Sequence, residues 1–388
     1  MKHSKPKAMK YIYLALIFAA FTSCQSSTGK TDDASAGNTN DKNVPQVVLK
    51  LAPKENNPRN SEGAFVTLND GRILFVYSHY TGTGSGDHDP AYLAGRYSDD
   101  GGKTWTSEDE LIVDREGDMN VMSVSLLRLQ NGDIALFYLK KNSTEDCIPL
   151  MRISKDEAKT WSEPITCITD KQGYFVLNND RVIQLENGRL LMAVALHATP
   201  GEGTWNDKAK LYSYYSDDNG QTWKSGEEVP TPADIITQEP GVVELKDGSV
   251  LMYIRASGGT QLFSYSTDKG VSWSAAEAST MNSPLSPATI KRIPKTGDLL
   301  GVWNNNDGSD ESIKGKRTPL SIGISKDEGK TWEKIKDIET DPDGWYCYMA
   351  MHFTDNDVLL GYCAGSQKEK THLSVTDITK LNVDWVYQ

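Results

Sequence analysis

The chain has 388 residues but only five cysteines and six histidines, and no Cys-x-x-Cys pair or histidine cluster suggests a metal site. No metal and no cofactor is therefore expected. Basic runs are also missing. The formal net charge is −12, and no Lys/Arg block is dense enough to follow a phosphate backbone, so nucleic acid is not an expected partner. An anionic ligand would have to be held by a local cluster of arginines inside an acidic exterior. Long apolar runs are absent too. The longest is Tyr11 to Phe21, too short to span a bilayer comfortably.

That run follows Lys2, Lys5, Lys7 and Lys10 and leads into Thr22, Ser23 and Cys24, the layout of an export signal. A Cys directly after small residues, followed by Gln25-Ser26-Ser27, resembles a bacterial lipoprotein signal. Residues 1–24 are then the signal peptide and Cys24 the lipidated mature N-terminus. The expected location is outside the cytoplasm, periplasmic or at the cell surface, with the lipid as the only membrane contact. Residues 25–46 hold almost nothing that could enter a core and read as a flexible linker. Residues 47–388 read as one domain. Four cysteines remain in it, Cys147, Cys167, Cys347 and Cys363; an oxidising compartment would allow pairing, but spacing does not fix a connectivity.

What the sequence does contain is repetition. Ser98-Asp99-Asp100-Gly101-Gly102-Lys103-Thr104-Trp105 recurs as SKDEAKTW from Ser154, SDDNGQTW from Ser216, STDKGVSW from Ser266 and SKDEGKTW from Ser325, at intervals of 56, 62, 50 and 59 residues. In each, Asp accepts bonds from the loop backbone, Gly supplies φ > 0, and Trp packs the turn on its sheet. Between these motifs stands a second signature, a tight turn entering an apolar strand. It occurs at Asp70-Gly71, Asn131-Gly132, Asn187-Gly188, Asp247-Gly248, Thr296-Gly297 and Asp355-Asn356. A degenerate Ser374-Val375-Thr376-Asp377 stands in for a sixth copy of the first motif. Six units of about 50–60 residues, each a few short strands, predict an all-β chain folded as a six-bladed β-propeller.

Asp-box turns on a six-bladed propeller resemble the sialidase (neuraminidase) superfamily, from about residue 55 to the end. The resemblance implies a retaining exo-glycosidase acting on sialylated glycans. Three arginines hold the substrate carboxylate, a Tyr paired with a Glu is the nucleophile, and an Asp is the acid/base. A neutral phenol suits that substrate, because a carboxylate nucleophile would be repelled by the sugar's own carboxylate. Gln238-Glu239-Pro240-Gly241-Val242-Val243-Glu244-Leu245, the Asp247-Gly248 turn and a strand ending Tyr253-Ile254-Arg255 are similar to the family's Glu and second arginine. Glu239 is thereby the partner of the tyrosine and Arg255 a clamp residue. Arg317, opening the strand before the fifth Asp-box, resembles the third arginine. The nucleophile falls within Trp345-Tyr346-Cys347-Tyr348-Met349-Ala350-Met351, where Tyr346 and Tyr348, two apart on a strand, would face the same way. Spacing to the next turn favours Tyr348. The acid/base falls in the loop Thr81 to Asp89, at Asp87 or, in reserve, Asp89.

Two segments depart from the family pattern. Arg59, in Pro58-Arg59-Asn60-Ser61-Glu62-Gly63, stands about two positions early for the first arginine and has a Glu beside it. Where the family has a Gly-rich stretch, this chain has Asn178-Asn179-Asp180-Arg181, which could add contacts to the central pocket, Arg181 among them. Hydrolysis of another acidic sugar (a keto-acid sugar or a uronate) and non-catalytic glycan binding are the alternatives these departures leave open.

Overall fold

The computed structural model describes residues 44–201 and 205–388. The signal, the lipidation site Cys24 and most of the linker lie outside them. The first described strand, Gln46–Leu51, begins one residue before the boundary read from composition.

The described chain is all-β, closing on one short helix, Val383–Tyr387. Its strands run antiparallel in sheets of four. The first sheet is Asn60–Thr67, Ile73–Tyr80, Ala91–Ser98 and Glu110–Val113. The fourth starts with Thr237–Glu244 and Val250–Ala256, the fifth with Thr289–Arg292. The second and third sheets, begun by Asn120–Arg128 and Tyr174–Val176, are stitched into one ladder by a single parallel pair, Tyr174 with Cys147. The last sheet takes Gly344–Phe353, Asp357–Ser366 and Thr376–Asn382 from the C-terminus and its outer strand, Gln46–Leu51, from the N-terminus. This corrects the reading of Ser374–Asp377 as a sixth turn motif. Its last two residues begin a third strand, and an outer strand supplied from the other end of the chain requires no turn.

The two turn signatures occupy fixed places. Each of the six short turns joins a sheet's first strand to its second, and each of the five Ser-x-Asp motifs follows a third strand. Both connections fall at the same end of an antiparallel sheet. The ends of the second strands and the approaches to the first and third strands therefore gather at the opposite end, where Arg255 and Arg317 lie. Within the turns the carboxylate does what its position predicts. Asp327 accepts Ser325 Oγ (2.8 Å), Thr331 N (2.9 Å) and Thr331 Oγ1 (2.6 Å), and Ser325 Oγ accepts Gly329 N (2.8 Å). Asp327→Ala should lower unfolding stability by about 1–3 kcal/mol, read as a shift in urea midpoint, while ligand binding at the far end stays unchanged.

Apolar side chains pack between neighbouring sheets. Val76 and Leu93 of the first sheet meet Leu136 and Leu150 of the second, and Phe65 and Phe75 of the first meet Ala350 and Leu359 of the last. One backbone irregularity recurs in the first strands. The ladder skips a residue on the first strand at Ser61/Ala64, Met122/Ser125, Gln238/Gly241 and Cys347/Ala350. At each skip a non-glycine residue is left-handed: Glu62 (φ 57°), Ser123 (59°), Glu239 (43°) and Tyr348 (58°). Asp180 (59°) holds the matching place in the interrupted first strand of the third sheet. Such backbone costs about 1–3 kcal/mol per residue and persists where the surroundings enforce it.

Candidate active site

Four of those five left-handed residues, Glu62, Ser123, Glu239 and Tyr348, line one cavity of about 310 Å³, together with Asp87, Lys141, Arg255 and Arg317. A larger hollow, about 670 Å³ near Thr67, Ile293 and Phe353, lies at the turn end and gathers no comparable set of charged groups. The bulge is the local cause of the cluster, since it turns a side chain off the alternating pattern of its strand.

Tyr348 Oη donates to Glu239 Oε1 at 3.1 Å, and Arg255 Nη1 meets the same oxygen at 2.7 Å. The Arg317 guanidinium carbon sits 4.9 Å from the Trp345 ring centre and 5.6 Å from that of Tyr348. Burial pushes the Glu239 carboxyl up, but the Arg255 charge and its hydrogen bond outweigh this and hold it below the usual carboxylate range. Burial, then the Glu239 charge, drives the Tyr348 phenol well above its ordinary value. The pair thus consists of a neutral phenol hydrogen-bonded to an ionised carboxylate. Arg255 Nε, Arg317 Nη1 and Glu239 Oε2 are buried with no hydrogen-bond partner in the protein. Unpaired guanidinium donors on residues that line a cavity suit an anionic partner.

Of the remaining residues singled out in the sequence, Asp87 lines the cavity and Arg59, Arg181 and Asp89 do not. Arg59 is 1% exposed and does not line the cavity. Its Nε donates to Ser61 Oγ (2.9 Å), its Nη1 to Asp87 Oδ1 (2.6 Å) and its Nη2 to Glu62 Oε1 (3.1 Å), so every face of the guanidinium is engaged. Asp87 is half-exposed on the loop; burial raises its carboxyl, the Arg59 charge outweighs that, and the net is downward. Glu62 is fully buried, which raises it, against Arg59 and a hydrogen bond from Ser123 Oγ at 2.9 Å. Asp89 closes its own loop, accepting Gly86 N at 2.7 Å. Arg181 does not line the cavity; its guanidinium carbon is 5.0 Å from the Tyr253 ring centre, its Nε and Nη1 are buried without a hydrogen-bond partner, and it fills space a side chain at position 241 would take: a Cβ on Gly241 would come within 2.5 Å of Arg181 Nη1.

Tyr346 corrects an expectation. Simple alternation puts it on the same face as Tyr348, but the extra residue between Cys347 and Ala350 breaks the alternation. Tyr346 packs among Met349, Tyr362 and Leu381, while Tyr348 enters the cavity. Sequence reading missed Ser123 and Lys141 altogether. Nothing local marks them, because both reach the cavity from strands that read as ordinary core. The four cysteines are free thiols.

A family profile for the BNR repeat-like domain matches residues 92–362. The chain belongs to the sialidase/BNR-repeat superfamily. Among curated members of this superfamily it is 28% identical over 301 residues to a sialidase of Paraclostridium sordellii, covering 69% of this chain and 72% of that one. It is 26% identical to a sialidase of Bacteroides fragilis over 53% of this chain and 37% of the relative, and 28% identical to one of Clostridium perfringens over 59% and 65%. The superfamily fold also appears in solved structures. A leech intramolecular trans-sialidase aligns with a TM-score of 0.70 at 14% identity, over 88% of this chain and 71% of that one. A Dyadobacter fermentans protein of unknown function aligns at 0.68 and 20% identity, over 87% and 99%.

Proposed function

We propose that the chain is a retaining exo-glycosidase that releases terminal sialic acid, built on a six-bladed propeller. Six apolar clusters, each spanning two neighbouring sheets and one of them joining last to first, support that architecture. The observation that carries the activity is the Tyr348–Glu239–Arg255 chain of contacts beside the unpaired donors of Arg317. Arg255 and Arg317 hold the substrate carboxylate. Tyr348 Oη attacks the anomeric carbon as its proton passes to Glu239, and the leaving oxygen takes a proton from Asp87, which must first take up a proton and give up its 2.6 Å contact with Arg59. Water, deprotonated by Asp87, then enters from the face that the leaving group vacated and displaces Tyr348, which takes its proton back from Glu239; two inversions give net retention.

One observation favours a second reading. Arg59 is committed to Glu62 and Asp87, so of the three clamp arginines only Arg255 and Arg317 line the cavity. A uronate, whose carboxylate is not on the anomeric carbon, need not be held by three arginines. A panel of aryl sialosides and aryl uronides, assayed with residues 45–388, decides between them. Rapid release from sialosides, with the α-anomer as first product by proton NMR, is the expected result. Release from uronides alone selects the second reading, and binding without release marks a glycan-binding protein.

Location rests on Cys24, which we propose carries lipid. Cys24→Ala should move the expressed protein from the membrane to the soluble fraction; a variant that stays with membranes rules the lipid anchor out.

A further inference from the structure

The groups that hold Tyr348 in place come from a different sheet. The first strand of the third sheet breaks after Tyr174–Val176 and resumes at Val182–Gln184. Between them, Asn178, Asn179, Asp180 and Arg181 run buried among the first strands of the other sheets. Asn179 Nδ2 donates to the carbonyls of Gly63 (2.8 Å) and Tyr348 (3.1 Å), the residues at or beside two cavity bulges. Asp180 Oδ2 accepts Met351 N (2.8 Å), and its Oδ1 meets Lys291 Nζ (2.7 Å), which also donates to Met351 O (2.9 Å). Asp180 itself is anchored by its own N–H to Val124 O (2.9 Å).

These contacts answer a specific need. A bulge removes ladder bonds, and a first strand has no neighbour on its other side, so the carbonyl of a bulged residue is left bare. A left-handed tyrosine adds conformational strain. Asn179 supplies the missing donor at Tyr348, and the Asp180–Lys291 pair fixes the strand three residues on.

We propose that Asn179 and Asp180 are positioning residues that hold the Tyr348 bulge in its left-handed form and so set the Tyr348–Glu239 contact. The proposal rests on the reading of Tyr348 as the nucleophile. Its test compares Asn179→Ala with the isosteric Asn179→Asp, which keeps the volume and, at a pH where its carboxyl is ionised, replaces the donor with an acceptor. Both should lower kcat on a sialoside about 10–100-fold, the effect of roughly 1 Å of misplacement. The Kd for a didehydro sialic acid should stay within about threefold, since Arg255 and Arg317 are untouched. Crystal structures of the variants should show Tyr348 Oη displaced from Glu239 while the Arg255–Glu239 contact remains. If either variant fails to fold, Lys291→Met weakens the same clamp from its far side and is read in the same way. An unmoved Tyr348, an Asn179→Asp enzyme with native kcat, or equal loss of kcat and affinity overturns the proposal. If the native protein cleaves no sialoside, the proposed function fails, and the position of Tyr348 in the variants still decides this inference.

Discussion

Tyr348→Phe is expected to lower kcat on a sialoside at least ~10³-fold while changing the affinity for a didehydro sialic acid by less than about fivefold. The substitution removes one oxygen and keeps the ring. Arg317, whose guanidinium carbon lies 5.6 Å from that ring centre, keeps its aromatic neighbour, and Arg255 keeps its 2.7 Å contact with Glu239. On the proposed mechanism the carboxylate clamp therefore survives while the attacking atom is gone. A raised KM at native kcat would mean that Tyr348 only binds. The pH profile adds a second check. Burial and the Glu239 charge hold the Tyr348 phenol far above its ordinary value. No loss of activity from ionisation of this group should therefore appear below about pH 10; on the proposed mechanism the proton leaves for Glu239 during attack.

The order of strands and the end at which the turns lie were legible in the sequence, because Asp-Gly and Ser-x-Asp chemistry is local: the motif carries its own hydrogen bonds, as at Asp327. Glu239, Arg255, Arg317 and Tyr348 were legible as motif positions, and all four line one cavity. The bulges were not. A single extra residue reverses the face of every later side chain in its strand, and Cys347-Tyr348-Met349 carries no glycine or proline to announce it. The partners of Arg59 were equally hidden. Glu62 stands three residues away in sequence, but only the left-handed backbone at Glu62 and the return of the Asp87 loop make them the two anions of one guanidinium. The composition of the last sheet depends on closure between the two ends of the domain, which no local pattern records.

Glu239 is where chemistry and stability meet, and its two substitutions should separate them. Among the described residues it is the one carboxylate in contact with Arg255. Both side chains are only 11% exposed. Glu239→Ala leaves that guanidinium and Arg317 in a buried cavity without their anion, which should cost about 3–5 kcal/mol of unfolding stability, the usual penalty for breaking a buried pair. Glu239→Gln keeps the volume and a carbonyl acceptor, so its loss of stability should be smaller. Both should abolish proton removal from Tyr348, with kcat falling at least ~10³-fold. Affinity should move the other way: with the internal anion gone, an incoming carboxylate meets less neutralised arginines, so the didehydro sugar should bind Glu239→Gln as tightly as the native protein or more tightly. Acid adds the deciding contrast. The Glu239 carboxyl is held below its unfolded value, about 4.3 for a free Glu. Its contribution to stability is therefore present above that pH and disappears as the pH falls through the folded value. Urea midpoints measured from pH 7 down to pH 3 should fall more steeply for the native protein than for Glu239→Gln, the two curves converging at the acid end. Parallel curves would show that Glu239 carries no depressed ionisation and is not the anion that holds Arg255.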